Sequence, residues 1–164
     1  MSGPLQGDLA PDVNWKIGVV TSRFNTPVTE PLEAGALERL VEIGIKPEQV
    51  LAVRVPGAVE IPHAAQMLFN KGCDAVIALG AVIRGETTHY DYVCNSVERG
   101  CSQLMVDYKK PVVFGVLTTE NGEQAFARVG GKKGHKGKEA AEVAIEMLNL
   151  EKLLNEQTKG VNNV

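Results

Sequence analysis

The stretch Gly80-Ala81-Val82-Ile83-Arg84-Gly85-Glu86-Thr87-Thr88-His89-Tyr90-Asp91 decides the fold, because it joins two segments of different hydrophobic period. The segment before it, Asp74-Ala75-Val76-Ile77-Ala78-Leu79, is a short apolar run that predicts a buried strand. After it, apolar side chains recur at helical spacing at Val93, Val97, Cys101, Leu104 and Met105. The stretch is therefore predicted to be a strand-to-helix turn. In an open parallel sheet, such turns lie at the edge where ligands bind.

The polar half of this stretch carries residues that suit a ligand site. Gly85 has no Cβ, so the backbone there can approach a ligand closely. Glu86, Thr87 and Thr88 fall at the start of the predicted helix, where unpaired N–H groups and the helix dipole favour an anion. His89 is of the side-chain type whose charge changes near neutral pH. One interpretation is a phosphate site with a proton-transfer residue. The other is a threonine that caps the helix beside a solvated His89.

Length, composition and charge exclude several classes of protein. The 164 residues are 44% hydrophobic and 23% charged, which suits one domain with a sizeable core. The net charge of −3 argues against a nucleic-acid-binding protein, whose domains carry a basic stripe. No apolar run approaches the roughly 20 residues that cross a bilayer, and the N-terminus shows no signal-peptide pattern. We therefore expect a cytoplasmic protein without a membrane partner.

The cysteines and histidines predict neither disulfides nor a metal site. The three cysteines are an odd number without a C-x-x-C pair, which indicates reduced, buried thiols. Cys94 and Cys101 lie about 10 Å apart along one predicted helix, too far for a bridge. The three histidines are scattered and show no zinc-ligand spacing.

Strand and helix patterns alternate four times along the chain. The predicted strands cover residues 15–20, 50–55, 74–79 and 112–117, and helical spacing follows each of them. This alternation predicts an α/β fold, a three-layer αβα sandwich in which a four-stranded parallel sheet has helices on both faces. A single domain is expected over residues 15–154. An arm at residues 1–14 lies outside the core and is able to add an edge strand to a neighbour, and a polar, frayed tail covers residues 155–164.

Individual residues predict where the helices begin and end and which face is buried. The first helix is expected to end at Gly44 and to hold Pro31 in its first turn, where the missing N–H costs nothing. The short helix after the fourth strand is expected to reach Arg128. Residues 130–137 are expected to form a solvated, basic loop. The last helix is expected to bury one apolar face, formed by Ala140, Ala144, Met147 and Leu148.

The four turns that leave the carboxyl ends of the predicted strands should converge on one edge of the sheet. Phe24 either stacks on a flat ring or packs as a staple at the start of the first helix. Glu60 either accepts hydrogen bonds from hydroxyl groups or serves as a helix N-terminal charge. Arg84 either binds phosphate or points outward to a carboxylate. The candidate residues of these turns are Phe24, Asn25, Ala58, Val59, Glu60, Ala81, Val82, Ile83, Glu86, Thr87, His89 and Phe114.

The glycine- and lysine-rich segment at residues 130–137 is either a phosphate-closing loop or solvated. It lacks the Walker pattern G-x-x-x-x-G-K-[ST]. Arg128, just before it, is the better candidate for a fixed anion contact, because a guanidinium binds phosphate through two N–H groups. No G-x-G-x-x-G follows the first strand and no G-x-S-x-G is present, which disfavours a dinucleotide site and a nucleophilic hydrolase.

Five segments keep the order and spacing of one known family. They are Arg23-Phe24-Asn25, Val55-Pro56-Gly57-Ala58-Val59-Glu60-Ile61-Pro62, Leu79 to Asp91, Phe114-Gly115-Val116-Leu117-Thr118-Thr119-Glu120-Asn121, and Lys136-Gly137 with Ala144-Ile145-Glu146-Met147. On these residues the chain resembles the lumazine synthases, over about residues 16–150. The resemblance implies a flavodoxin-like sheet. It also implies condensation of 5-amino-6-(D-ribitylamino)uracil with 3,4-dihydroxy-2-butanone 4-phosphate to 6,7-dimethyl-8-ribityllumazine, without cofactor or metal. Phosphate and water are released in this penultimate step of riboflavin biosynthesis.

The resemblance also implies roles for the pyrimidine side of the site. Phe24, next to Asn25, stacks on the pyrimidine ring, and the segment Ala81-Val82-Ile83 lines the far side of that ring. The turn Ala58-Val59-Glu60 holds the pyrimidine and the ribityl chain, with the carboxylate accepting from a ribityl hydroxyl. Lys136 is a further substrate-binding residue.

On the phosphate side, the resemblance implies that Glu86 and Thr87 hold the phosphate, largely by backbone N–H groups, together with Arg128. His89 transfers protons, and His89 and Arg128 are the catalytic candidates. Phe114 comes from the adjacent subunit, so the complete site needs an oligomer.

Members of the family assemble as pentamers, and some pack twelve pentamers into an icosahedral shell, in which riboflavin synthase is a possible partner. The short segment at residues 130–136 resembles that of shell formers, whereas Pro11 in the arm disfavours strand addition to a neighbour. Two residues depart from the common pattern: Val59, where many members have an aromatic residue, and His135, where many have Asn. The alternatives are a non-catalytic lumazine- or flavin-binding module, a shell-forming scaffold, and an archaeal-type riboflavin synthase.

Overall fold

The structure, a computed structural model, describes residues 3–161, with residues 158–161 by backbone alone. The outermost residues of the expected arm (1 and 2) and of the expected tail (162–164) lie outside the described residues. The strands are β1 (Ile17–Ser22), β2 (Val50–Val55), β3 (Ala75–Ile83), β4 (Val112–Thr119), β5 (Val129–Gly131) and β6 (Gly134–His135). The helices are α1 (Thr26–Ile43), α2 (Ile61–Asn70), α3 (His89–Tyr108), α4 (Gly122–Phe126) and α5 (Lys136–Val161).

The first four strands form one parallel sheet in the order β2-β1-β3-β4. Side chains alternate between its two faces, as strand geometry requires. Ile17, Ile77 and Leu79 face the core beneath α1 and α5, whereas Val20 and Val76 face the core beneath α2 and α3. The predicted α/β sandwich, flavodoxin-like and with helices on both faces, is therefore confirmed.

The central turn begins at Arg84 rather than at Gly80, where the sequence pattern predicts it. The strand β3 continues to Ile83, because it pairs with β4 as far as Thr119. The backbone N–H of Arg84 then donates to the carbonyl of Thr119 at 2.9 Å. The residues expected at the turn, Ala81 to Ile83, are thus held rigidly at the end of a strand.

Helix α1 begins earlier than expected. Asn25 takes a left-handed conformation (φ 67°), and its carbonyl accepts from the N–H groups of Val28 and Thr29. The helix therefore starts at Thr26 and Pro31 lies beyond its first turn, so the prediction for Pro31 is wrong. The predicted end is confirmed, since Gly44 caps the helix at φ 112°, a conformation that favours glycine.

The N-terminal arm packs against α5. Nδ2 of Asn149 donates to the carbonyls of Asp8 (2.8 Å) and Ala10 (2.9 Å). Gly7 is buried so closely against the α5 backbone that a Cβ there would overlap the carbonyl of Glu146. Residues 3–14 contain no strand.

One expectation for α5 is wrong. Met147, expected in the core, is 43% exposed, whereas Ala140, Ala144 and Leu148 are buried as predicted. The helix continues to Val161.

The expected basic loop at residues 130–137 is a short antiparallel hairpin of β5 and β6 that leads directly into α5. His135 fixes the hairpin on α1, because its ring lies so close to Gly35 that a Cβ there would overlap it. Its Nδ1 also accepts from the backbone N–H of Lys138 at 3.3 Å. The hairpin is therefore docked on the domain rather than solvated throughout.

Candidate functional site

A groove of about 590 Å³ lies at the carboxyl edge of the sheet, where the turns after β1, β2 and β3 meet. The backbone joins these turns directly: the N–H groups of Arg23 and Phe24 donate to the carbonyls of Val55 and Pro56 at 2.8 and 3.0 Å. The lining residues are Phe24, Asn25, Gly57, Ala58, Val59, Glu60, Ala81, Val82, Ile83, Gly85, Thr87, His89, Tyr90 and Val93. The structure thus brings most of the candidate residues together.

Phe24 stands at the mouth of the groove, and the residue is 72% exposed. A staple would bury the ring against the helix that follows, so the stacking interpretation fits the structure better. Asn25 holds this turn in place, since its Nδ2 donates to the carbonyl of Ala81 at 2.8 Å. An exposed ring on a fixed turn is suited to stacking on a flat ligand.

Glu60 lies on the opposite wall, in the turn that leads into α2. Its Oε2 accepts from the backbone N–H of Gly57 at 3.0 Å, which fixes the carboxylate without burying it. No other hydrogen bond joins this carboxylate to the described residues, so Oε1 is open to a ligand. Ala58 is buried beneath the turn, and Val59 is 47% exposed. Glu60 can therefore serve both as a charge at the start of α2 and as an acceptor for a ligand hydroxyl.

The turn between β3 and α3 presents open backbone donors. Among the described residues, no acceptor receives a hydrogen bond from the N–H groups of residues 85–88. Thr88 occupies the cap position of α3 without a side-chain cap, and Thr87 accepts instead from the N–H of His89 at 3.3 Å. Four open amides at the start of a 20-residue helix favour an anion. His89 follows as the first helical residue and is exposed.

Arg84 points outward to carboxylates, the second of the two interpretations. Its Nε donates to Oε2 of Glu120 at 2.8 Å, and its Nη2 lies 3.3 Å from Oδ1 of Asp91. The guanidinium also stands 4.3 Å from the centre of the Tyr90 ring. The hydrogen bond with Asp91 is the main cause that raises the pKa of Arg84.

Three candidate residues lie away from the groove. Phe114, Arg128 and Lys136 line a second cavity, of about 390 Å³, between β4 and α5. Nη1 of Arg128 donates to the carbonyl of Gln124 at 2.8 Å, and within the described residues no carboxylate pairs with this guanidinium. Lys136 pairs with Glu139 at 3.1 Å, and Phe114 is 43% exposed on the edge strand β4. Within one protomer the candidates therefore form two separate sets.

Three lining residues of the groove, Gly57, Tyr90 and Val93, were not among the candidates. Gly57 directly precedes the candidate Ala58. Tyr90 and Val93 lie in the first turns of α3, beside His89, and helical spacing from His89 was a signal for Val93. Desolvation is the main cause that raises the pKa of Tyr90. Glu86, a candidate, does not line the groove but borders it, between Gly85 and Thr87.

No cysteine lines the groove. All three are free thiols; Cys73 and Cys101 are buried, and burial raises the pKa of Cys101 to about 12. Cys94 is only partly buried, which corrects the expectation that all three are buried. Across residues 3–161, His, Cys, Asp and Glu side chains form no group of three able to hold a metal ion. Nor is any helix of this part of the chain long and apolar enough to cross a membrane.

The fold and the groove define a flavodoxin-like α/β protein with a small-molecule site at the carboxyl edge of its parallel sheet. Comparison with known families matches residues 14–152 to the model of 6,7-dimethyl-8-ribityllumazine synthase. The chain therefore belongs to the 6,7-dimethyl-8-ribityllumazine synthase family, whose members are transferases of riboflavin biosynthesis. The family implies small-molecule substrates and oligomeric assembly.

Individual relatives agree with this assignment, and each of the following bears the name 6,7-dimethyl-8-ribityllumazine synthase. The chain is 58% identical to one from Bdellovibrio bacteriovorus over 135 residues, 82% of this chain and 74% of the relative. It is 51% identical to one from Coxiella burnetii over 140 residues, 85% of this chain and 93% of the relative. It is 50% identical to one from Cytophaga hutchinsonii over 132 residues, 80% of this chain and 83% of the relative.

Proposed function

We propose that the protein performs the reaction of its family at a site formed by the groove and the second cavity. It condenses 5-amino-6-(D-ribitylamino)uracil with 3,4-dihydroxy-2-butanone 4-phosphate to 6,7-dimethyl-8-ribityllumazine and releases phosphate and water. The observation that carries the proposal is the groove itself. One cavity collects an exposed aromatic ring, an open carboxylate, a row of open amides and a histidine.

The pyrimidine occupies the part of the groove between Phe24 and the end of β3. The exposed ring of Phe24 stacks on the pyrimidine, and Ala81, Val82 and Ile83 line its other side. Oε1 of Glu60 accepts a hydrogen bond from a ribityl hydroxyl while Oε2 stays on the turn. Asn25, Ala58 and Val59 line the rest of this part of the groove.

The phosphate of the second substrate binds at the turn between β3 and α3. The open amides around Glu86 and Thr87 donate to its oxygens, and the α3 dipole favours its charge. Arg128 approaches from a neighbouring protomer, because its own protomer places it on the second cavity with Phe114 and Lys136. Phosphate departure builds negative charge, which this guanidinium is suited to stabilise.

His89 relays the protons that the reaction moves. The primary amine adds to the ketone and loses water to give an imine. Phosphate then leaves, the resulting enol tautomerises to a ketone, and the second amine closes the ring with loss of another water. A histidine that stands beside the phosphate turn reaches the carbon chain where these transfers occur. Holding two substrates together contributes further to the rate.

The division of the site between two cavities supports an assembly in which neighbours complete each other's sites. In a closed ring, the groove of every protomer meets the second cavity of a neighbour, so that no groove and no second cavity is left without its counterpart. We propose that this ring is a pentamer. Twelve pentamers forming a shell, with riboflavin synthase as a partner in the cytoplasm, extend the proposal. The short hairpin that fixes Lys136 is compatible with a shell.

A turnover assay tests the proposal. Purified protein is mixed with both substrates, and lumazine absorbance and released phosphate are followed against an enzyme-free blank. The blank is essential because the condensation can proceed slowly unaided. We expect rates well above the blank, with lumazine and phosphate formed in equal amounts. Rates equal to the blank from an assembled sample would contradict the proposal and leave a binding or scaffold protein on this fold.

A further inference from the structure

Arg84 joins three segments around the phosphate turn. It is the first residue after β3, and its guanidinium contacts Glu120, in the segment after β4, through Nε at 2.8 Å. The same guanidinium faces Asp91, in the first turn of α3, with Nη2 at 3.3 Å and Nη1 at 3.5 Å. The Tyr90 ring lies beneath it at 4.3 Å. Exposed ion pairs are weak singly, but a guanidinium with several fixed partners restrains them together.

The contacts continue from Arg84 to the second cavity. The backbone N–H of Glu120 donates to Oε1 of Gln124 at 2.9 Å. The carbonyl of Gln124 accepts from Nη1 of Arg128 at 2.8 Å. Asn121 secures this segment, since its Oδ1 accepts from the N–H of Gln124 at 2.9 Å. An unbroken chain of polar contacts therefore runs from the start of α3, through Arg84, to Arg128.

Arg84 is itself poorly suited to bind the phosphate. Two carboxylates, Asp91 and Glu120, neutralise its charge and accept from three of its five N–H groups. Without Arg84, these carboxylates would stand unpaired beside the amides of residues 85–88 and would repel an anion. The residue thus affects anion binding through its neighbours rather than by direct contact.

We propose that Arg84 is a positioning residue that fixes both phosphate-binding parts of its protomer, the turn at residues 85–88 and the guanidinium of Arg128. The inference rests on the proposed function, in which these two parts bind the phosphate of neighbouring sites. It assigns Arg84 to binding of the phosphate-bearing substrate and leaves binding of the pyrimidine, by Phe24 and Glu60, independent of it.

The test compares Arg84→Met with Arg84→Lys, and with Arg39→Met as a matched control. Arg39 also bridges two carboxylates, Glu42 (3.1 Å) and Glu142 (2.9 Å), but it does so between α1 and α5, away from both cavities. Initial rates are measured with each substrate varied in turn, and the dissociation constant of inorganic phosphate is measured by isothermal titration. Circular dichroism and light scattering verify that each variant folds and assembles.

We expect Arg84→Met to raise KM for the phosphate-bearing substrate, and the dissociation constant of inorganic phosphate, by about fivefold. KM for the pyrimidine should stay unchanged. Arg84→Lys should recover part of the loss, and Arg39→Met should change neither KM. Glu120→Gln should raise the same KM by a smaller factor. In the Glu120→Gln background, the further substitution Arg84→Met should raise this KM less than it does in the wild type, because the contact between the two residues is already lost.

Equal changes in both KM values, or a fall in kcat alone, would overturn the positioning role. Unchanged kinetics and unchanged phosphate binding in Arg84→Met would also do so. A wild-type protein that does not turn over would overturn the proposed function instead, and the phosphate titrations would still decide the role of Arg84. If Arg84→Met does not fold, Arg84→Lys and Glu120→Gln test the same contacts.

Discussion

Mixed assemblies of two damaged proteins should recover activity under the proposed function, in which the groove of one protomer and the second cavity of its neighbour form one site. His89→Ala damages the groove and leaves the second cavity intact. Arg128→Ala damages the second cavity and leaves the groove intact. A site that takes its groove from an Arg128→Ala protomer and its second cavity from a His89→Ala neighbour has both residues.

The expected recovery follows from how protomers distribute around a ring. With equal amounts and random mixing, each half of a site comes from the required variant half of the time, so about one quarter of the sites are intact. This fraction does not depend on the number of subunits in the ring. Removal of a proton-transfer residue typically costs about 10²–10⁴-fold in rate, so the recovered activity should stand far above that of either variant alone.

The assay co-expresses the two variants with different tags and isolates assemblies that carry both. Lumazine formation is then compared with that of the wild type and of separately assembled variants mixed after purification. A matched control combines His89→Ala with Phe24→Ala, which both damage the groove, so that no intact groove exists in any site. We expect about one quarter of the wild-type rate in the first mixture and no recovery in the second.

Mixed assemblies of His89→Ala and Arg128→Ala that are no more active than the average of the two would refute the reasoning. In that case both residues would act within one protomer. Recovery in the control mixture as well would also contradict the prediction, because it would show that activity in the assay does not depend on an intact groove.

Three further predictions concern single residues. His89→Ala should slow turnover by about 10²-fold or more without abolishing it, since substrate positioning remains; a folded, assembled variant with no activity above the blank would contradict this. Phe24→Ala should raise KM for the pyrimidine by roughly tenfold, as loss of a stacking ring does, while Phe24→Tyr should preserve it in the same steady-state assay. The hydrogen bonds from Arg54 lower the pKa of the buried Glu33 carboxyl, so the pair stabilises the fold above the carboxyl's ordinary pKa and loses that effect as pH falls through the lowered value. At fixed protein concentration, Glu33→Gln should therefore lower the denaturation midpoint near pH 7, and the difference from the wild type should shrink below about pH 4.

The order of strands and helices could be predicted from the sequence because each element carries its own period. The bounds of β2 match the prediction at both ends, since its apolar run is closed by Pro56 and Gly57. The end of β3 was misplaced, because Gly80 resembles a turn residue. Only pairing with β4 extends the strand to Ile83. Pro31 was misplaced for a related reason, since the left-handed Asn25 starts α1 earlier.

The groove could also be predicted in large part. Residues that follow parallel strands meet at one edge of the sheet, so Phe24, Glu60 and His89 were placed together correctly. The alternative interpretations of Phe24 and Arg84 could be decided only once the positions of their side chains were known. The exposure of Phe24 and the ion pairs of Arg84 are tertiary facts, since local sequence does not determine which distant partner a side chain meets.

By itself, the sequence determined the α/β architecture, the chemistry available at the carboxyl edge of the sheet, and membership of the family. These follow from periodicity, turn residues and linked motifs, all of which are local along the chain. The packing of the whole chain was needed to show that the candidate residues of one protomer divide between two cavities, and that Arg128 lies with Phe114 and apart from His89. That division depends on where β4 lies in the sheet, at an edge, and strand order is set by packing between distant segments rather than by any one of them.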